Sequence, residues 1–403
     1  TNGSIDGTIY GGSNILGTIS GSSLIDISGG QLGNSSATDY TSVDTVFGGG
    51  LGQSTNVQGR VLLNIKDTNN NLNIYGNAYG GSSLGTITGD VEVNIQDNPS
   101  IANIISISGY VFGGGKGNNT TAATVAGDIT VNVDGSNLPN CSVFGGSNIN
   151  GTINGKIVVN VGKKYTSTLY TVYGGGNQDD INTVTPEVKV YLLPNANVTN
   201  AFNGGKAADL ISAGENDTSR AIYLQGGTVQ NIYGGSDSSG TVTVSNVYIE
   251  SGNATNVYGG NNLGGTTTTT KVSITDGIIG NIYGGGNQAV STTTNVTTTG
   301  GIITNIFGGG NNAGVTTANV TTNGGNIGTI FGGSNASGDV TESFVTTNDG
   351  AIASTIDTVY GGNNQGGTTT TPIVTINGGG VGTVYGGGNQ AVTNVTNVYI
   401  YGD

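Results

Sequence analysis

The feature that most constrains this chain is a six-residue phrase, of which Ile282-Tyr283-Gly284-Gly285-Gly286-Asn287 is one of fourteen copies. Each copy runs aliphatic, aromatic, Gly-Gly, a variable residue, then usually Asn. The aromatic falls at Tyr10, Phe47, Tyr79, Phe112, Phe144, Tyr173, Phe202, Tyr233, Tyr258, Tyr283, Phe307, Phe331, Tyr360 and Tyr385, at intervals of 24 to 37 residues. Such a period implies stacked copies of one supersecondary unit, each unable to bury its apolar face alone.

The pass ending at Tyr283 shows the unit. In residues 268–275, Val272 and Ile274 alternate with Lys271 and Ser273, the period-two signature of a half-buried strand. Asp276-Gly277 marks a turn, and Ile279, Ile282 and Tyr283 form a second segment. No window carries helical spacing of three and four. About 25 residues are too few for a propeller blade of about 40–50, but suit one turn of a parallel β-helix. The sequence therefore predicts an all-β, single-stranded parallel β-helix (β-solenoid) of about 14 coils. At about 4.8 Å per coil these would make a rod of roughly 65–70 Å. One domain over 1–403 is expected, with irregular longer coils in 1–210 and regular coils of 24–29 residues in 211–403. Insertions are expected near Ser35-Ser36, at Asn69-Asn70-Asn71 and over 117–121, and residues 179–194 read as the least repeat-like stretch. Pro99, Pro139, Pro186 and Pro194 are expected in turns or at strand edges.

Two positions after the aromatic every copy has Gly, and one position after, all but Asn203. Glycine alone adopts positive φ cheaply, so left-handed residues at a sharp corner are the expected cause. Four positions after, nine copies carry Asn: Asn14, Asn148, Asn177, Asn262, Asn287, Asn311, Asn335, Asn364 and Asn389. Stacked at one corner, these amides would form a hydrogen-bonded ladder. Leu51, Ser83, Lys116, Lys206 and Asp237 stand in the other copies. The aromatic is Phe in six of fourteen copies, so its hydroxyl is dispensable and a stacked ring column closing the core is expected. The column in the regular half is Tyr233, Tyr258, Tyr283, Phe307, Phe331, Tyr360 and Tyr385.

Composition narrows function. The net charge is −14, and the ten Lys and Arg lie between Arg60 and Lys271 without clustering beyond Lys163-Lys164, so nucleic acid is not an expected partner. The chain has no His, Met or Trp, and Cys141 stands alone. No catalytic, metal or cofactor site is expected, and no membrane span. A carboxylate-based polysaccharide lyase or hydrolase would draw on Asp179 and Asp180, or Glu342 with Asp339, which read as solvated turn acids. Asp237 alone resembles a calcium-binding nonapeptide position, and structural calcium is not expected. Threonine runs at 266–270, 292–294, 297–299, 321–322 and 368–371 read as solvent-facing strand surface, with an ice-binding face as the sharper alternative. Asn253, Asn295, Asn319 and Asn394 open Asn-x-Thr sequons.

Thr1 is not an initiator methionine, so a mature or excised piece of a longer product is expected. Residues 1–10 read as the second half of a pass, and 398–403 as a first half. Tail to head they write one complete coil, with Ile5, Ile9, Val398 and Ile400 at the joint. Bare strand edges recruit other chains, so more of the same chain or the next subunit is expected to cover them.

The corner phrase together with the threonine-rich strand resembles the glycine-rich Val-Tyr-Gly-Gly-Gly-Asn repeats of large bacterial surface proteins, across nearly the whole chain. The resemblance implies an extracellular, adhesin-like or fibre-forming β-solenoid and carries over no catalytic residue. A self-assembling structural subunit at the cell surface is the expected function. An adhesin that binds glycans or matrix through loops in 1–210 is the alternative, ahead of an ice-binding protein or a degrading enzyme.

Overall fold

The computed structural model describes residues 3–66, 72–97, 105–182, 185–350 and 354–401. Asn69-Asn70-Asn71, Pro99 and the terminal pairs 1–2 and 402–403 lie outside them. The chain forms two compact units, Thr1–Asp209 and Leu210–Asp403. Each is a parallel β-solenoid in which strands pair with their equivalents in neighbouring coils.

In the first unit one ladder carries the aromatics: Ile9–Tyr10, Asp44–Phe47, Asn77–Tyr79, Val111–Phe112, Asn137–Phe144, Ser167–Tyr173 and Ala196–Phe202. A second ladder runs from Ser23–Ile27 through Val61–Lys66, Val91–Gln96, Ile129–Asp134 and Ile157–Val161 to Val188–Leu192. Two narrower ladders close the early coils, one through Ser4–Ile5 and Gly30–Leu32, the other through Leu16–Ile19 and Ser54–Val57. Val188–Leu192 lies inside 179–194, so that stretch holds a regular strand; its disguise is Tyr191 and Lys189 on the outward face, opposite Asn160 and Val158. Pro139 sits within Asn137–Phe144, where the register shifts between Leu138 and Ser142, a bulge that accommodates the missing donor. The insertion before Phe47 contains the short 3-10 turn Tyr40–Ser42, capped by Asp39.

The second unit is simpler. Arg220–Tyr233 and Thr241–Tyr258 run as single strands; from Thr266 to Tyr385 each pass is a long strand and a short one, as in Thr266–Ile274 and Ile278–Tyr283, followed by Val290–Thr298 and Ile302–Phe307. Val247, Val272, Val296, Val320, Val345 and Val374 share one register position and are all buried. Ile279, Ile303, Ile327 and Ile356 form a facing column. β-branched side chains suit these columns because their restricted rotamers pack identically in every coil.

The threonines correct the solvent-facing expectation. Thr267, Thr270, Thr294, Thr298, Thr322, Thr347 and Thr369 are fully buried. Thr270 donates its hydroxyl to the Gly284 carbonyl at 2.6 Å, Thr294 to Gly308 at 2.5 Å, and Ser343 to Gly361 at 2.7 Å. Across the interior these hydroxyls satisfy corner carbonyls, and at the far turn Thr298 and Thr347 do the same for Gly324 and Gly378. Thr297, Thr321, Thr346 and Thr375 form one half-exposed outward column.

Candidate functional site

The corner that follows each aromatic is where the sequence concentrates its invariants. In the first unit Tyr10, Phe47, Tyr79, Phe112, Phe144, Tyr173 and Phe202 stack with ring centroids 4.5 to 5.2 Å apart. In the second, Tyr233, Tyr258, Tyr283, Phe307, Phe331, Tyr360 and Tyr385 stack at 4.6 to 5.0 Å. The spacing equals the distance between paired strands, so rings in successive coils meet face to face with a small offset.

The Gly-Gly pair has a different cause from the one expected. None of the corner pairs has positive φ; that conformation belongs to turn glycines such as Gly277 (φ 114°) and Gly301 (φ 87°). The corner glycines are required by close approach. A Cβ on Gly80 would lie 2.6 Å from the carbonyl oxygen of Gly113, and one on Gly113 2.5 Å from that of Gly145. The same collision recurs from Gly284 onto Gly308. The corner backbone is itself part of the coil-to-coil ladder: Gly284 N–H donates to Phe307 and Gly285 N–H to Gly309 at 2.8 and 3.0 Å.

Beside the rings runs the amide row. In the second unit Asn389 donates to Asn364, Asn364 to Asn335, Asn335 to Asn311, Asn311 to Asn287, Asn287 to Asn262 and Asn262 to Asp237, at 2.8 to 3.0 Å. Every amide points the same way, and the row ends on a carboxylate that can only accept. In the first unit Asn177 donates to Asn148, Asn148 to the Tyr79 hydroxyl, and that hydroxyl to Asp44, at 2.9 Å each. This row too ends on an aspartate. Burial, with Asp44 beside it, pushes the Tyr79 hydroxyl pKa far up. Asn14 is exposed and stands outside either row, since Leu51 occupies the equivalent corner one coil on.

Sequence reasoning missed three further amide rows. They join Asn64, Asn94, Asn132 and Asn160; Asn231, Asn256, Asn281 and Asn305; and Asn323, Asn348 and Asn377. Their signal was present, as the second of these falls two residues before the aromatic in four successive passes, from Tyr233 to Phe307.

The acids considered for catalysis do not converge. Asp339 and Glu342 are exposed in the second unit, and Asp339 accepts from Thr368 N–H at 2.8 Å. Asp179 corrects the solvated reading: it is buried and accepts from Gly151 N–H at 2.8 Å and Ser147 N–H at 3.3 Å, while Asp180 is exposed. Burial outweighs those hydrogen bonds and raises the Asp179 pKa to about 6. Cys141 is buried and free, its thiol pushed up to about 12 by burial. Among the described residues no group of three His, Cys, Asp or Glu is placed to hold a metal ion, and no helix is long and apolar enough to cross a membrane.

Each unit has strands that pair on one side only. Ser4–Ile5, Ile9–Tyr10, Leu16–Ile19 and Ser23–Ile27 pair on one side only, as do Gly380–Tyr385 and Asn397–Ile400. Tyr170, Leu263, Ile278, Val290 and Ile302 are exposed within the stacks, and the other eleven large apolar side chains exposed among the described residues gather at these strands. They include Ile5, Ile15, Leu16 and Leu24 at one edge, and Tyr385, Val392, Val395, Val398, Tyr399, Ile400 and Tyr401 at the other. Ile9 is half-buried. No protein family, curated protein or solved structure matches this chain.

Proposed function

We propose that this chain is a non-enzymatic structural subunit that extends a fibre or layer at the cell surface by adding β-solenoid coils at its strand edges. The observation that carries the reading is the concentration of exposed apolar side chains on strands whose outer N–H and C=O groups are unpaired. A bare parallel edge recruits another strand, and main-chain hydrogen bonds then supply affinity while alternate side chains set register.

The edges suit further coils of the same repeat, supplied by a second copy of this chain or by a longer stretch of it. Tyr385 stacks on Tyr360 with one ring face, and Tyr10 on Phe47 with one, so each offers its other face. A joint that stacks Tyr10 of one copy on Tyr385 of the next brings the Asn14 amide over the Asn389 carbonyl oxygen, continuing the donor direction of the amide row. Ile5, Ile9, Val398 and Ile400 are then covered. Sparse oxidisable side chains, with the single cysteine buried, suit an extracellular place.

Negative-stain microscopy across a concentration series tests the reading. The expected result is filaments that lengthen with concentration, and short particles from a Val398→Lys, Ile400→Lys variant. Discrete particles at every concentration from the unaltered chain would overturn it.

A further inference from the structure

The corner amide rows of the two units each end on an aspartate, Asp44 in the first and Asp237 in the second. A third row, at the far turn of the second unit, ends differently. There Asn377 donates to Asn348 and Asn348 to Asn323, at 2.9 Å each. Asn323 thus takes the place that Asp237 holds in the corner row. Its Oδ1 accepts from the next coil, and among the described residues its own NH2 group meets no acceptor.

Asn323 and Asn377 share more than a row. Each is followed by a glycine, Gly324 and Gly378, whose N–H groups likewise have no acceptor among the described residues. A glycine carries no Cβ to hinder the approach of its nitrogen to the preceding side chain. The two sites differ in what holds the amide. At Asn377 the NH2 group is fixed on Asn348, and Oδ1 accepts from nothing among the described residues. At Asn323 a donor polarises the carbonyl, and the NH2 group is unheld. The second arrangement favours loss of ammonia, because Cγ is the more electrophilic and the nitrogen leaves without breaking a hydrogen bond.

We infer that Asn323 is a self-modification site that converts to aspartate. The Gly324 nitrogen bonds to Asn323 Cγ and gives up its proton, and the side-chain nitrogen leaves as ammonia, closing a cyclic imide. Water then adds at Cγ and breaks the new C–N bond, which restores the peptide and leaves a carboxylate. The net exchange is NH2 for OH, with water consumed and ammonia released. The product ends the third row as Asp237 ends the corner row, on a group that only accepts, and the bond from Asn348 becomes charge-assisted. The same conversion at Asn377 would delete a donor and set a carboxylate against Asn348 Oδ1. This site is independent of the strand-edge assembly above.

Incubation of the full chain in mildly alkaline buffer, with peptide mapping by mass spectrometry at intervals, tests the site. Asn323 should convert roughly two- to tenfold faster than Asn377, the factor set by one amide hydrogen bond. Aspartate should be among the products at 323, resolved from isoaspartate by chromatography. Asn348→Ala removes both the donor to Asn323 and the acceptor of Asn377, so it should slow the first site, speed the second and abolish the difference. Asn348→Asp keeps the acceptor and loses the donor, so it should slow Asn323 alone. Circular dichroism of each variant separates loss of the row from loss of fold. No conversion at Asn323, isoaspartate alone there, conversion of Asn377 as fast as Asn323, or rates unchanged in both variants would overturn the inference.

Discussion

Asn311 donates its side-chain amide to Asn287 at 2.9 Å and its own carbonyl accepts from Asn335 at the same distance. One residue therefore completes two hydrogen bonds, each to a different coil. Asn311→Ala would leave a half-buried acceptor on one neighbour and a donor on the other, at a cost of about 1–3 kcal/mol. Asn311→Asp should cost less, since a carboxylate still accepts from Asn335, as Asp237 does from Asn262. Hydrogen exchange of the amides at 287 and 335, followed coil by coil, checks both; equal protection in Asn311→Ala and the unaltered chain would contradict the argument.

Glycines in this chain differ by what surrounds them, and substitution should separate them. Gly284→Ala drives a methyl into the Gly308 backbone, which cannot yield without parting two coils. Overpacking of this kind costs about 1–3 kcal/mol or more. Gly214→Ala places its methyl in open space without positive φ and should stay within about 0.5 kcal/mol of the parent. Urea unfolding of the two variants, compared by midpoint, reads the difference.

Hydroxyls of the ring column should be equally separable. Tyr79 donates to Asp44 and accepts from Asn148, so Tyr79→Phe strips a half-buried acid and a buried amide of a partner together. A loss of about 1–3 kcal/mol is expected. Tyr258→Phe, in a column that already alternates with Phe, should cost under about 0.5 kcal/mol. Thermal unfolding of both variants should show a clearly larger drop for Tyr79→Phe; matching drops would place the hydroxyl network outside the stability of the first unit.

The spacing of the phrase made the parallel stack and the ring column legible, because an aromatic every coil has only one way to recur. The reason for Gly-Gly was not legible. A need for positive φ and a need for close approach select the same residue, and only the position of Gly308 relative to Gly284 distinguishes them. Threonine hid its orientation for a similar reason: Thr270 inward and Thr297 outward are alike in sequence, and only the inner one has a corner carbonyl to satisfy. Single buried charges were out of reach altogether. Arg220 is fully buried with its guanidinium on the Ile211 carbonyl, and Asp179 is enclosed by backbone from a neighbouring coil. Both depend on how irregular segments fold over the stack, which no period records.

Asp179 makes the first unit sensitive to pH in a defined window. Its carboxyl has a pKa of about 6 when folded, above the value near 3.8 of an unburied aspartate. Near pH 3 and below both states hold the proton and the group is neutral to stability. Between about pH 4 and 6 the unfolded chain ionises while the folded one resists, so stability falls as pH rises and levels off above the folded pKa. Two units of difference correspond to about 3 kcal/mol. In Asp179→Asn the amide oxygen still accepts from Gly151 and nothing ionises. That variant should therefore be more stable than the parent at pH 7, with the difference vanishing near pH 3, and flat between. Urea midpoints of the parent and Asp179→Asn across pH 3 to 7 measure this; parallel curves through the window would show that Asp179 ionises as freely in the folded state as in the unfolded chain.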